Sequence, residues 1–474
     1  MSDTAAHPAE TVISGALTVQ PGRPVLADIA IADGRISAVG EPGSLAGQRY
    51  VDARGMVLLP GGVDSHVHLH TQFGRWLTSD DFWTGTVPAA FGGTTTIINF
   101  AIPQPGETSL AAFARCRQEA GPNVAVDYTL HACVTRDRFD ESLGQFAALR
   151  EAGARSVKVF TTYRETIGLS LEQIDAVLRR AADHDLQVLV HAEANELIEA
   201  GIAACVGTGE LSPHGHLVSR PAAAEEAAIR RVAELAAAAG SRVFFVHVSS
   251  AAGVEAVRSA RGRSEGVHAE TCVHYLCLDD TVYDRAEGEL WVCSPPIRSR
   301  DDQEALWLAL REGTLDQVST DHNCFTREQK LAFHGDFRNV PNGLPGVELR
   351  LPAMIDCVAR GRLTWAELAW LTAESPARLF GLWPRKGAIA VGADADLALI
   401  SPTATTDLGK THMATDYSPL VGMRGTGRVV QTWLRGEALL DGDEFRGSRG
   451  YGNWLVPGEG STRPARPAWP PETS

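Results

Sequence analysis

The chain has little of several things that would define other protein classes. Its eight cysteines are scattered through 474 residues without a single CxxC pair, which argues against a disulfide framework and against a thiolate zinc site. Any metal would have to rest on nitrogen and oxygen. Cationic side chains are outnumbered, with 43 Lys and Arg against 58 Asp and Glu and a formal charge of −15. That balance disfavours nucleic acid as a partner, because such binding draws its affinity from Lys and Arg on phosphates. No stretch supplies the ~20 apolar residues of a bilayer span, and the start, Met1-Ser-Asp-Thr-Ala-Ala-His-Pro, has neither a basic nor an apolar leader. No membrane partner is expected, and a cytoplasmic location is.

What is present is a globular composition, 44% hydrophobic and 21% charged, able to bury a large core. The length suits one barrel of roughly 250 residues or more with one satellite domain. Short β-like runs at 12–19, 28–31 and 35–39, separated by Pro-Gly and Asp-Gly turns, return near the other end at 396–400, 428–435 and 438–440. They have no helical period. Both chain ends are therefore expected to build one small β-sandwich-like domain from residues 1–58 and 384–449.

Between them, from 59 to 383, apolar β-branched runs alternate with Ala/Leu/Arg/Glu-rich helical stretches, as repeated βα units require. Eight strand candidates fall at 57–60, 94–100, 124–133, 156–161, 186–191, 242–247, 266–272 and 316–320, with helices such as Leu171–Asp183 and Ala222–Ala239 between strands. This predicts an α/β protein with a closed (β/α)8 TIM-type barrel. The segment 450–474, rich in Pro and Gly with Trp454 and Trp469, lacks a core pattern and is expected either to be loose or to sit in an oligomer interface.

In a parallel barrel, reactive groups sit where strands end, because all eight C-terminal ends open on one face. His66 and His68 follow the first strand candidate, Lys158 lies in the fourth, and His191, His247 and Asp321 end the fifth, sixth and eighth. All six can reach one mouth. Strand alternation sends both imidazoles of His66-Val-His68 the same way, making half a metal site. His68-Leu-His70 has the same spacing, and the Pro60-Gly-Gly-Val-Asp-Ser context favours His66 and His68. His214-Gly-His216 repeats the spacing in a loop and is read as structural. Cys293 and Cys324 adjoin motifs, with packing as their expected role. Lys158, flanked by Val157 and Val159, is either a lysine that snorkels or pairs with a carboxylate, or a neutral amine that takes up carbon dioxide as a carbamate bridging two cations.

Ten segments in order carry a family resemblance. They are Pro60-Gly-Gly-Val-Asp-Ser-His-Val-His, Ser79-Asp-Asp-Phe-Trp-Thr-Gly-Thr, Gly92-Gly-Thr-Thr-Thr-Ile-Ile-Asn-Phe, Ser156-Val-Lys-Val-Phe, Val190-His-Ala-Glu, Val246-His-Val-Ser-Ser, Glu270-Thr-Cys-Val-His-Tyr-Leu, Ser294-Pro-Pro-Ile-Arg, Thr320-Asp-His and Pro341-Asn-Gly-Leu-Pro-Gly-Val-Glu. The series resembles the dihydropyrimidinase/hydantoinase family of the amidohydrolase superfamily, from about residue 12 to 450.

The resemblance implies a binuclear zinc hydrolase that opens a cyclic amide or ureide, dihydropyrimidine or hydantoin to N-carbamoyl amino acid, by attack of a metal-bridging hydroxide. It implies that His66, His68 and Asp321 hold one Zn2+, that His191 and His247 hold the second, and that N6-carboxylated Lys158 bridges them. Asp321 would move the proton. Tyr163, otherwise an ordinary loop aromatic, would bind the oxyanion, and Ser294 and Asn342 would hold the ring through backbone groups. The small cyclic amide is the expected partner, with assembly as a homotetramer or homodimer. Departures at His70, at Arg164 and Glu165, after Glu193 and at Asp321-His-Asn-Cys-Phe leave the substrate open. Allantoinase or another cyclic-imide hydrolase is the alternative, and a non-enzymatic oligomeric scaffold of the same fold is the third reading.

Overall fold

The computed structural model describes residues 9–458. Eight parallel strands form the barrel: β1 Gly62–Val67, β2 Thr94–Ala101, β3 Asp127–Cys133, β4 Ser156–Phe160, β5 Gln187–His191, β6 Val243–Phe245, β7 Val267–Cys272 and β8 Gln317–Ser319. The ring closes just past the ends of β8 and β1. There His322 bridges Val67, and its carbonyl accepts from the His68 N–H at 2.8 Å.

Strand alternation decides which side chains face the barrel axis. Val157, Val159, Val188, Val190, Val243 and Phe245 pack outward under the helices, whereas Ile98, Phe100, Phe160, Leu189 and Phe244 pack together inside. Lys158 and His191 share the inward parity. The outer layer follows from helix amphipathicity: Leu171–Asp183 starts on a capping box between Ser170 and Gln173 and buries Ile174, Val177, Leu178 and Ala181 on one stripe. Ala222–Ala239 ends on Gly240, whose φ of 64° suits a left-handed cap.

The two chain ends meet in one nine-stranded sheet as an additional domain. Strands Ala9–Gln20, Arg23–Ala32, Arg35–Gly40 and Gly47–Asp52 join Leu397–Asp407, Arg424–Leu434, Glu437–Asp441 and Glu444–Phe445 around a core that includes Ile13, Ile29, Leu58, Leu399 and Trp433. One expectation is corrected here. Val57–Pro60 is not the first barrel strand; it lies in this sheet, parallel to residues 17–18 and antiparallel to 397–400. The barrel begins after Gly61, where the chain passes so close to Thr95 that a Cβ would meet its Oγ1 at 2.2 Å. A short buried apolar run reads the same in either sheet, so periodicity could not separate them.

The start of the C-terminal segment lies on the chain's own barrel. The Tyr128 N–H donates to the Asn453 carbonyl at 3.0 Å, the Leu455 N–H to the Tyr128 carbonyl at 2.8 Å, and Trp454 meets Phe113 and Tyr128 edge-on. Residues 459–474, with Trp469, lie outside the described residues. Among the described residues, no helix is long and apolar enough to cross a membrane.

Candidate active site

A cavity of about 750 Å3 opens at the C-terminal ends of the strands, and its wall includes His66, His68, Lys158, Tyr163, His191, His247, Ser294, Asp321 and Asn342. All nine residues singled out in the sequence thus reach one space. The barrel strands and their ends supply the histidines, lysine and aspartate; the loop after β4 supplies Tyr163, the segment between β7 and the helix Arg300–Glu312 supplies Ser294, and the loop after β8 supplies Asn342.

His66 Nε2 and His68 Nε2 lie 2.9 and 3.2 Å from the same Asp321 oxygen. Behind them, His66 Nδ1 meets Glu270 Oε1 at 2.5 Å, and Gln317 Nε2 donates to the other Glu270 oxygen at 2.7 Å. A carboxylate on Nδ1 fixes the ring and aims Nε2 at the cavity. His66 Nε2 is nonetheless buried without a hydrogen bond. Two imidazole nitrogens and a carboxylate oxygen converging in this way fit a shared divalent cation with N/O ligands.

Lys158 is 1% exposed, with its ammonium 4.8 and 5.2 Å from the ring centres of Phe100 and Phe160. Burial pushes its pKa down to about 8, which raises the share of free amine near neutrality. His191 and His247 stand 4.5 Å apart between ring centres. Burial holds both below the usual imidazole range, His247 well below it, which favours the neutral rings. Asp321 is kept well below the usual carboxylate range; burial opposes this, and the neighbouring His66, His68 and His247 together outweigh it.

Tyr163, His247 and Asp321 have φ of 62°, 43° and 45°, the left-handed region that non-glycine residues seldom occupy. Their surroundings must hold them there, as happens where loops are shaped for function.

Sequence reasoning assigned no role to the carboxylates and cations behind these residues. Glu193 Oε2 meets His191 Nε2 at 2.7 Å and Arg220 Nη1 at 2.5 Å. Glu193 sits two residues after His191 and closes the Val190-His-Ala-Glu segment, which was the available signal. Asp80, His322 and Cys324 form a second buried cluster of ligand-type atoms. It reads as a hydrogen-bonded lock, because the Gly346 and Val347 N–H groups both donate to His322 Nδ1 at 3.1 and 3.4 Å. Nε2 then carries the proton and faces Asp80 Oδ2 at 3.2 Å, leaving no lone pair for a cation.

His70 is exposed with φ 50° and is not part of the cavity wall; Arg164 pairs with Glu196 at 3.0 Å. His214-Gly-His216 lies on the short helix Pro213–Ser219, not in a loop; His214 is exposed, whereas His216 is buried and its Nε2 donates to the Cys293 carbonyl at 2.7 Å. Cys293 is buried, and its thiol donates to the Pro295 carbonyl at 3.3 Å. The Cys324 thiol donates to Asp80 at 3.0 Å, which adds a polar role to packing.

A barrel whose strand ends gather four histidines, a buried lysine and an aspartate defines a class: the chain belongs to the amidohydrolase family, whose model matches residues 57–439. Within it, the chain is a member of the hydantoinase branch. It is 38% identical over 456 residues to a D-hydantoinase of Streptomyces coelicolor, covering 93% of this chain and 97% of that protein. A D-hydantoinase structure from Bacillus sp. AR9 superimposes with a TM-score of 0.91 at 36% identity, over 94% of this chain and 99% of the other. A dihydropyrimidinase structure from Brevibacillus agri NCHU1002 also gives 0.91, at 34% identity over 95% and 99%.

Proposed function

We propose that this hydrolase opens cyclic ureides, dihydropyrimidine or hydantoin to N-carbamoyl amino acid, with two zinc ions as its cofactor. The observation that carries the reading is the convergence of His66 Nε2 and His68 Nε2 on one Asp321 oxygen in a cavity that Lys158, His191 and His247 also line. His66, His68 and Asp321 would hold one ion and His191 and His247 the other, with Lys158 as a carbamate between them. Bound there, the two ions would supply a Lewis acid for the ring carbonyl and would lower the pKa of a water toward ~7.

The chain's own groups do the rest. Lys158, largely stripped of water, reaches the free-amine form that adds carbon dioxide. Asp321 accepts the proton of the attacking water and returns it to the ring nitrogen as the C–N bond breaks. The Tyr163 phenol donates to the oxygen on which charge develops. Ser294 and Asn342 hold the ring through their backbone groups, and the remaining cavity accommodates a ring substituent between Phe73, Ile102 and Ile167.

A cytoplasmic setting is supported by eight free cysteines, and assembly as a homotetramer or homodimer by the family resemblance.

Metal content and ring opening, measured on one preparation, test the reading with dihydrouracil, hydantoin, 5-substituted hydantoins, allantoin and succinimide. About two zinc ions per chain and turnover of a ureide are expected. Lys158→Ala should lower turnover by roughly a thousandfold or more and lose metal. A fully loaded enzyme that opens none of these rings would sink the assignment, and preference for allantoin or succinimide would replace the substrate. Metal-free protein from zinc- and bicarbonate-supplemented expression would favour the scaffold.

A further inference from the structure

Arg220 is buried, 5% exposed, at the end of helix Pro213–Ser219, and nothing in the reaction above employs it. Its guanidinium has two neighbours. One is Glu193, 0% exposed, whose Oε2 takes both Arg220 Nη1 at 2.5 Å and His191 Nε2 at 2.7 Å. The other is the ring of Tyr163, whose centre is 5.1 Å from Arg220 Cζ. Tyr163 and His191 are themselves 5.6 Å apart between ring centres. One planar cation therefore touches a group that holds a cavity histidine and a group that faces the reacting oxygen.

The arrangement is braced from behind. Arg298 Nη1 donates to the Arg220 carbonyl at 2.9 Å, Arg298 Nε donates to Ser249 Oγ at 2.9 Å, and Ser249 donates to buried Glu225 at 3.0 Å. On the other side, the Glu193 N–H donates to Thr161 Oγ1 at 2.8 Å, which ties it to the end of β4 two residues before Tyr163. Tyr163 needs such support, because its φ of 62° is unfavourable for a tyrosine.

We propose that Arg220 is a positioning residue for ring opening: through Glu193 it sets the ring of His191, and against the phenol ring it sets the aim of Tyr163. This rests on the function proposed above. A bland ion pair would need only a positive charge beside Glu193. The flat guanidinium does two things that an ammonium cannot do together, bonding the carboxylate along its edge while lying against an aromatic ring.

The two arms are separable by substitution. Arg220→Met should weaken the second of two zinc ions on the order of 10–100-fold in a titration against a chelator, with the first unchanged, since partners of a ligand histidine carry such effects. Arg220→Lys should keep the second ion within about threefold, yet lower kcat on the order of tenfold with KM nearly constant. In a Tyr163→Phe background, Arg220→Lys should cost no more than about twofold further, because the group it aims is gone.

Equal fractional losses of kcat in both backgrounds would overturn the Tyr163 arm, and unchanged second-ion affinity in Arg220→Met would overturn the His191 arm. If Arg220→Met does not fold, the charge-neutral pair Arg220→Met with Glu193→Gln should weaken the second ion no more than Glu193→Gln alone, because Arg220 acts on His191 only through Glu193, and a larger loss in the pair would overturn that arm. A wild-type enzyme that opens no ring sinks the function instead, and the zinc titration then decides Arg220 by itself.

Discussion

At the scale of single residues, the groups that face the cavity and the groups that hold them differ in how they are written into the chain. His66 and His68 declare themselves by spacing, and Lys158 by its place between valines. Glu270, which meets His66 Nδ1 at 2.5 Å, lies 204 residues away, and the segment it opens says nothing of that partner. A carboxylate there keeps the imidazole in one tautomer and one orientation. Glu270→Gln should therefore lower metal affinity or turnover roughly 10–100-fold while leaving thermal stability of the apoprotein nearly unchanged. Chelator competition beside a melting curve checks both halves of that expectation.

At the scale of elements, the site depends on loops that touch one another closely. Gly343 has φ 149°, and a Cβ there would meet the Asn323 carbonyl oxygen at 2.1 Å. Glycine lets the strand of chain carrying Asn342 lie against the turn after β8, where Asn323 Nδ2 also donates to the Asn342 carbonyl at 3.0 Å. On the proposed function, Gly343→Ala should push these loops apart and raise KM roughly tenfold, with a smaller change in kcat, because the backbone proposed to hold the ring moves and the cavity histidines do not. Steady-state kinetics on the preferred ring separates the two effects; a fall confined to kcat would contradict it. The barrel helices were readable in advance because their apolar stripes and caps are local. The 57–60 run was not, since burial on both faces erases the alternation that distinguishes one sheet from another.

At the scale of the whole molecule, the barrel and the additional sheet are joined by a buried charge cluster. Lys386 Nζ lies 2.6 Å from Asp127, 2.9 Å from Asp394 and 2.6 Å from Asp396, while Arg435 also meets Asp127 and donates to the Tyr451 carbonyl at 2.7 Å. Removing one cation leaves buried carboxylates uncompensated, so Lys386→Met should cost roughly 3–5 kcal/mol of unfolding free energy in denaturant titrations. Acid stability has a second source. Asp316, buried just before β8, is held below the usual carboxylate range; burial opposes this, and the Arg261 guanidinium, with His268 and the Ala269 N–H, prevails. Its folded pKa lies below the unfolded value of about 3.9, so its stabilisation is complete above that value and is lost as pH falls through the folded pKa. On apoprotein, Asp316→Asn should flatten the decline of Tm below about pH 4 relative to wild type; parallel curves would contradict this.

Whereas Tyr163, Ser294 and Asn342 came from the family resemblance, the sequence alone determined the alternation of strand and helix, the turn-punctuated β texture at both ends, and the six strand-end residues His66, His68, Lys158, His191, His247 and Asp321 that reach the cavity. Each is a local property: hydrophobic period assigns a side chain to a face of its own element, and strand ends in a parallel barrel share one face by construction. Only the tertiary structure decided that the barrel starts at Gly62, that Asp80, His322 and Cys324 form a lock, and that Glu270, Glu193 and Arg220 stand behind the cavity histidines. Those contacts depend on strand register and ring closure, which bring together groups from distant segments and leave no periodic trace along the chain.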